Sequence, residues 1–255
     1  MILAVDIGNT NIVLGCCEEG EILFRERIST NRIATDLEYS ALFKTALDMN
    51  SIDPGKITGG IISSVVPSVT GTIRKAVEKL LGFTAMIVGP GIKTGLSIMI
   101  DNPASLGSDL VVGAVAGINN YPVPQIIIDM GTATTLSVID SKRNFTGGII
   151  VTGMAVSSDA LTSRTSQLPR IAFETPKKVV GTNTVDCMKS GLMYGTAGMI
   201  DGLIKRIEAE LGEKCTVIAT GGLAGTVCHL CERDIILDDD LLLKGLMLIY
   251  NKNNK

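Results

Sequence analysis

The sequence has no block of lysine and arginine that could follow a phosphodiester backbone, and its 23 basic and 26 acidic residues leave a net charge of −3. That balance argues against non-specific nucleic-acid binding. It also lacks any apolar run near the ~20 residues of a membrane-spanning helix. The nearest approach, Leu241–Leu243 with Leu246–Tyr250, is interrupted by Lys244 and Gly245. A basic start leading into an apolar run, the mark of a secretory signal, is missing too, because Asp6 and Asn9 fall within the first ten residues. These absences predict a cytoplasmic protein with neither nucleic acid nor membrane as partner. Six cysteines are too few for a disulfide scaffold and predict reduced, mostly buried thiols. The single histidine lies in Cys228-His229-Leu230-Cys231. A closed zinc site needs four ligands and the other nearby cysteine, Cys215, has no paired partner, so packing of a surface helix outweighs metal binding there.

Aromatic residues are scarce at 4%, yet 45% of the 255 residues are hydrophobic and 19% charged, a globular profile that excludes disorder. Three apolar runs in residues 1–30, separated by Asp6–Asn11 and by Glu18-Glu19-Gly20, predict three strands joined by short turns. Leu37, Ala41, Leu42, Thr45, Ala46 and Met49 recur at helical spacing and are taken as one buried face. A strand is predicted at Gly59–Pro67, a helix at Ser68–Leu81 and a strand at Thr84–Val88. A polar loop at Asp101–Asp109 precedes a small-residue helix at Leu110–Ile118.

The segment Gln125–Val138 then repeats the N-terminal pattern. Asp129 matches Asp6 at a spacing of 123 residues, with an apolar strand on either side and a glycine two residues beyond each acid. This predicts duplication of one α/β module into halves 1–118 and 119–255, with ligands bound in a cleft between them. The second half continues with a strand at Gly148–Val151, helices at Ala155–Leu161 and Val185–Leu211, a strand at Thr216–Ala219 and a final helix at Leu241–Tyr250.

In Asp6-Ile7-Gly8-Asn9-Thr10-Asn11 the glycine permits a tight turn. Its amides and the Thr10 hydroxyl could donate to phosphate oxygens, while Asp6 could hold Mg²⁺ or its waters. An ordinary hairpin turn explains the same residues taken alone. Recurrence as Asp129-Met130-Gly131-Thr132-Ala133-Thr134-Thr135 favours two acidic, hydroxyl-bearing loops bracketing a triphosphate and its metal. Asp109, in Gly107-Ser108-Asp109, reads either as a helix N-cap or as a general base aimed at an acceptor hydroxyl. Thr220-Gly221-Gly222 after a strand could receive a flat adenine or ribose, or could be a plain turn.

These motifs together resemble the actin/hexokinase/Hsp70 superfamily. Within it, the two acidic loops, Asp101-Asn102-Pro103, Gly107-Ser108-Asp109, Gly147-Gly148-Ile149-Ile150, Leu161–Thr165 with Leu168-Pro169, and Gly181–Thr184 resemble the type III pantothenate kinase family. The resemblance implies ribonuclease H-like (actin-like ATPase) domains, with mixed sheets flanked by helices and an active site in the interdomain cleft. It implies ATP-dependent phosphorylation of pantothenate, the first step toward coenzyme A, by a cytoplasmic homodimer using Mg²⁺ and a monovalent cation, K⁺ or NH₄⁺. Carried onto this chain, Asp109 is the proton acceptor. Asp6, Ile7, Gly8, Asn9, Thr10, Asn11, Ile12, Val13, Thr132, Gly221 and Gly222 contact ATP. Gly107, Ser108, Asp109, Leu110 and Thr184 surround pantothenate, Asp129 holds the monovalent cation, and Asp6 is a candidate for Mg²⁺.

The chain departs from the family pattern on the acceptor side. Leu110 stands where the family has arginine, Ile100 where it has tyrosine, Thr152 where it has proline and Thr182 where it has lysine. Leu110 offers neither charge nor donors. It motivates two alternatives: a catalytically impaired nucleotide-binding regulator, and a kinase of a different small alcohol.

Overall fold

Short turns between β-branched runs make the first thirty residues an antiparallel meander. In the computed structural model, which describes residues 1–254, its strands are β1 (Ile2–Ile7), β2 (Asn11–Glu18) and β3 (Glu21–Ser29). Helix α1 (Asp36–Met49), strand β4 (Gly59–Ser64), helix α2 (Pro67–Leu81) and strand β5 (Met86–Ile87) follow. β4 pairs parallel with β1, and β5 parallel with β4, giving the order β3-β2-β1-β4-β5.

After β6 (Ser97–Ile98) and α3 (Ser108–Asn120) the pattern begins again. β7 (Gln125–Met130), β8 (Ala133–Ile139) and β9 (Asn144–Thr152) form a second meander. Next come α4 (Met154–Arg164), α5 (Thr184–Leu211), β10 (Thr216–Thr220), α6 (Ala224–Val227), β11 (Ile236–Leu237) and α7 (Leu241–Asn253). The second sheet runs β11-β10-β7-β8-β9-β6. Its stretch β9-β8-β7-β10-β11 has the order and strand directions of the first sheet, so the repeat read from two acidic turns extends to the whole topology. β6 is an addition, paired parallel with β9.

The chain forms two compact units. One comprises Met1–Leu96, Asp101–Asn119 and the segment from Asp240; the other comprises Ser97–Ile100 and Asn120–Asp239. A single cut between 118 and 119 therefore misassigns α7 and β6. The period of a repeat marks where a module recurs, whereas packing decides where a helix lies, and α7 packs on β1, β2 and β4. That face is lined by small residues: a Cβ on Gly15 would stand 2.7 Å from a Leu243 methyl. Burial of Leu241, Leu243, Leu246 and Ile249 contributes roughly 2 kcal/mol each, as an upper figure.

The remaining core of the first unit gathers Leu3, Val5, Ile7, Ile12 and Leu14 with Tyr39, Phe43, Leu47, Ile73 and Val77. This corrects the expected face of α1. Tyr39, Phe43, Ala46 and Leu47 are buried, whereas Leu37 and Met49 are exposed. Two series at helical spacing overlap in this segment, and the one carrying the large aromatic rings wins because it buries more apolar surface. The helix starts on a capping box, Thr35 with Glu38. Pro67 opens α2 rather than closing β4, as suits a first-turn residue with no N–H to satisfy.

Candidate active site

In the first unit, β1 carries Asp6 near its C-terminal end, 7% exposed. Its neighbours across the sheet are Val13 on β2 and Ser63 on β4. The β1–β2 turn closes with the Gly8 N–H donating to the Asn11 carbonyl at 2.9 Å. Thr30 anchors it: its N–H donates to the Thr10 carbonyl and its hydroxyl to the Gly8 carbonyl at 2.7 Å. The Arg32 guanidinium donates to the Asn9 side chain at 3.1 Å. Close approach rather than a positive φ favours glycine at position 8, since a Cβ would sit 3.0 Å from the Asn11 carbonyl. One expectation for Gly8 is corrected here. Its amide, expected to point at phosphate, is used inside the turn.

Asp109 lies in the first turn of α3, whose helix begins at Ser108 rather than Leu110. It is therefore not the N-cap. Its carboxylate accepts the Leu110 N–H at 2.8 Å, and its position still suits the positive end of the helix. Burial raises the carboxyl pKa above its ordinary value, against the lowering effect of the Leu110 and Asp109 backbone amides. Ser108 fixes this turn. Its hydroxyl donates to the Ser64 carbonyl at 2.9 Å, accepts the Ser64 N–H at 3.0 Å and lies 3.0 Å from the Ser63 hydroxyl. Asp6, Ser63, Ser108 and Asp109 thus converge in one unit, while Gly107 and Leu110, both half-buried, flank the acid. Ser63 and Ser64 were not singled out from sequence. Two adjacent hydroxyls closing a parallel strand, where α/β folds bind ligands, were the available signal.

In the second unit, Asp129 is half-buried near the end of β7. The following turn closes with the Gly131 N–H donating to the Ala133 carbonyl at 3.0 Å. It is one residue shorter than its counterpart: Asp6 pairs with Val13, but Asp129 pairs with Thr135. The match of spacing therefore holds as far as the glycine and slips by one at the hydroxyls beyond it. Gly221 follows β10 with φ +96, and a Cβ there would stand 2.6 Å from an Asp129 carboxylate oxygen. Only glycine suits both the conformation and the contact. Thr132 and Gly222 are exposed beside these positions.

Thr184 begins α5, whose N-cap Asn183 accepts the Asp186 N–H. It lines a cavity of about 840 Å³ together with Leu161, Leu168, Ile171, Thr182 and Met188.

Cys228 is buried in the core of the second unit and Cys231 is half-buried. Burial raises both thiols, to about 11 and about 12. Among the described residues no three His, Cys, Asp or Glu side chains group around a metal position. Cys16 and Cys17 are buried on β2 with pKa values raised by burial to about 12 and about 11. No helix among the described residues is long and apolar enough to cross a membrane.

The duplicated sheet order, with helices between the strands, defines the class: an α/β protein of the actin-like ATPase and sugar-kinase fold. The activator of 2-hydroxyisocaproyl-CoA dehydratase from Clostridium difficile, solved with ADPNP bound, matches with TM-score 0.60 at 15% identity, over 99% of this chain and 95% of that one. Component A of (R)-2-hydroxyglutaryl-CoA dehydratase from Acidaminococcus fermentans gives the same score and identity, over 100% and 99%.

Sequence similarity narrows the class. Residues 2–206 match the type III pantothenate kinase family model. The type III pantothenate kinase of Halalkalibacterium halodurans is 44% identical over 253 residues, 99% of this chain and 100% of the relative. That of an Exiguobacterium species is 45% identical over 255 residues, covering both chains fully. The chain belongs to the type III pantothenate kinase family.

Proposed function

We propose that this chain transfers the γ-phosphoryl group of ATP to the primary hydroxyl of pantothenate, forming 4′-phosphopantothenate, the first step of coenzyme A biosynthesis. The observation that carries this reading is the setting of Asp109: held in the first turn of α3, partly desolvated, and shifted toward proton acceptance. The pantothenate oxygen attacks the γ-phosphorus and forms the new P–O bond. The bond from that phosphorus to the bridging oxygen breaks, ADP leaves with the electron pair, and Asp109 takes the hydroxyl proton.

ATP is assigned to Asp6–Val13, Thr132, Gly221 and Gly222, and pantothenate to Gly107–Leu110 and Thr184. Mg²⁺ fits the donor set. The buried carboxylate of Asp6 suits an ion that is bound through one or two carboxylates and substrate phosphates. When bound it neutralises phosphate charge. Asp129 is assigned the monovalent cation, K⁺ or NH₄⁺.

A cytoplasmic homodimer completes the proposal. It is supported by exposed apolar side chains in the second unit: Ile150, Leu161, Val179 and Val180. Light scattering on the purified protein gives the oligomeric mass, and a monomer at micromolar concentration refutes this part.

The whole-chain relatives carry the kinase name, which weighs against the regulator that Leu110 motivates. The deciding experiment is a coupled ADP-release assay with the product identified by mass spectrometry. Pantothenate-dependent ADP release with a phosphopantothenate product is the expected result. ATP binding without pantothenate-dependent turnover overturns it.

A further inference from the structure

Asp129 sits in a row of three oxygen-bearing side chains on adjacent strands. Thr135 on β8 is its partner in the antiparallel pair and Thr220 on β10 its partner in the parallel pair. Strands lie about 4.8 Å apart and paired residues share a face, so the two threonine side chains stand on either side of that of Asp129. Thr220 is 3% exposed. The Thr135 hydroxyl oxygen is buried with no hydrogen-bond partner. A buried polar atom left unsatisfied signals a water or an ion.

The duplicated unit supplies an internal comparison. The equivalent row in the first sheet is Val13, Asp6 and Ser63. One flank there is a hydrocarbon, and the hydroxyl on the other lies 3.0 Å from that of Ser108. The two acids share a frame, but only Asp129 has a hydroxyl on each side. The Gly221 backbone packs directly against this acid, since a Cβ there would stand 2.6 Å from a carboxylate oxygen and 2.7 Å from the Met130 nitrogen.

A single carboxylate with neutral hydroxyl oxygens matches one positive charge better than two. Mg²⁺ demands near-ideal octahedral geometry and retains its waters, whereas a larger, weakly hydrated monovalent ion accepts neutral oxygens in place of its shell. We propose that Thr135, with Thr220, provides neutral oxygen ligands for a monovalent cation at Asp129. This rests on the reading of Asp129 as the cation residue.

The test is the shift of thermal midpoint on titrating KCl against choline chloride at constant ionic strength, with Mg²⁺ and a non-hydrolysable ATP analogue present. Wild type is stabilised saturably by K⁺. Thr135→Val and Thr220→Val raise the half-saturating K⁺ concentration about tenfold, the scale of one lost interaction with a charged group. Thr135→Ser restores it, which separates ligation from a packing defect. An unchanged half-saturation in Thr135→Val, while Asp129→Asn loses the response, overturns the role of the hydroxyl and leaves Asp129 standing. A wild-type protein with no K⁺ response overturns both.

Discussion

The Ser108 hydroxyl lies 3.0 Å from that of Ser63 and holds both backbone groups of Ser64. One oxygen therefore ties the first turn of α3 to the end of β4, next to the strand that carries Asp6. Replacing it, Ser108→Ala, leaves the Ser64 N–H without its partner. The expected cost is about 1–3 kcal/mol of stability, read by urea unfolding. Because Asp109 is the next residue, kcat falls about tenfold to a hundredfold, the scale of a displacement near 1 Å. An unchanged kcat means that the serine contact does not position the acid.

Asp109→Asn removes the proton acceptor while keeping shape. Turnover drops about 10²- to 10⁴-fold, and nucleotide affinity, measured by calorimetry, stays near the wild-type value. Lost nucleotide affinity points instead to a structural or metal-binding role.

The raised pKa of Asp109 has two further consequences. Activity requires the carboxylate, so the acid limb of kcat/KM is displaced upward from the ordinary carboxylate value. For stability the sign is opposite. An acid whose folded pKa exceeds its unfolded one binds protons more readily when folded, so it opposes folding at neutral pH and that opposition fades as pH falls through the folded pKa. Asp109→Asn should melt no lower than wild type at pH 7.5, with the difference narrowing in acid.

Leu110→Arg introduces the charged fork that pantothenate's carboxylate would meet. A KM for pantothenate lowered several-fold, with kcat retained, is the expected outcome. No gain favours an acceptor with less negative charge.

Glu208 on α5 is 7% exposed and accepts from Lys214 at 2.6 Å, the Cys215 N–H at 2.9 Å and Arg233 at 3.0 Å. Burial pushes its pKa up, but these partners together outweigh burial and hold it below the ordinary value. Its contribution is full above the unfolded pKa near 4.3 and is lost as pH falls through the lower folded pKa. Glu208→Gln should cost about 2 kcal/mol at pH 7 and less at pH 3. A pH-independent cost in urea titrations would refute the ionic account.

The repeat was legible because an acid, a glycine and flanking apolar strands survive in both copies, and strand order follows from them. The α1 face was not, since two series with the same spacing compete and only packing chooses Tyr39 and Phe43. Strand β6, Ser97–Ile98, has two residues and no alternation to read. Within the site, Asp6, Asp109 and Gly221 were visible as acids and glycine at strand or helix ends. Ser63 and Thr135 reach Asp6 and Asp129 only through register across strands, and Ser64 meets Ser108 only through packing, which a linear pattern does not display. The one-residue slip between the two turns likewise emerges only from pairing.

Helix α7 covers β1, β2 and β4, yet the ribosome makes it after every strand of the second unit. The nascent first sheet must wait with the stretch that α7 covers exposed until Leu241–Asn253 emerge, whereas Asn120–Asp239 are synthesised without interruption. The half made later is thus the one free to mature earlier, and a stalled or shortened chain would display an unclad sheet to chaperones or to aggregation.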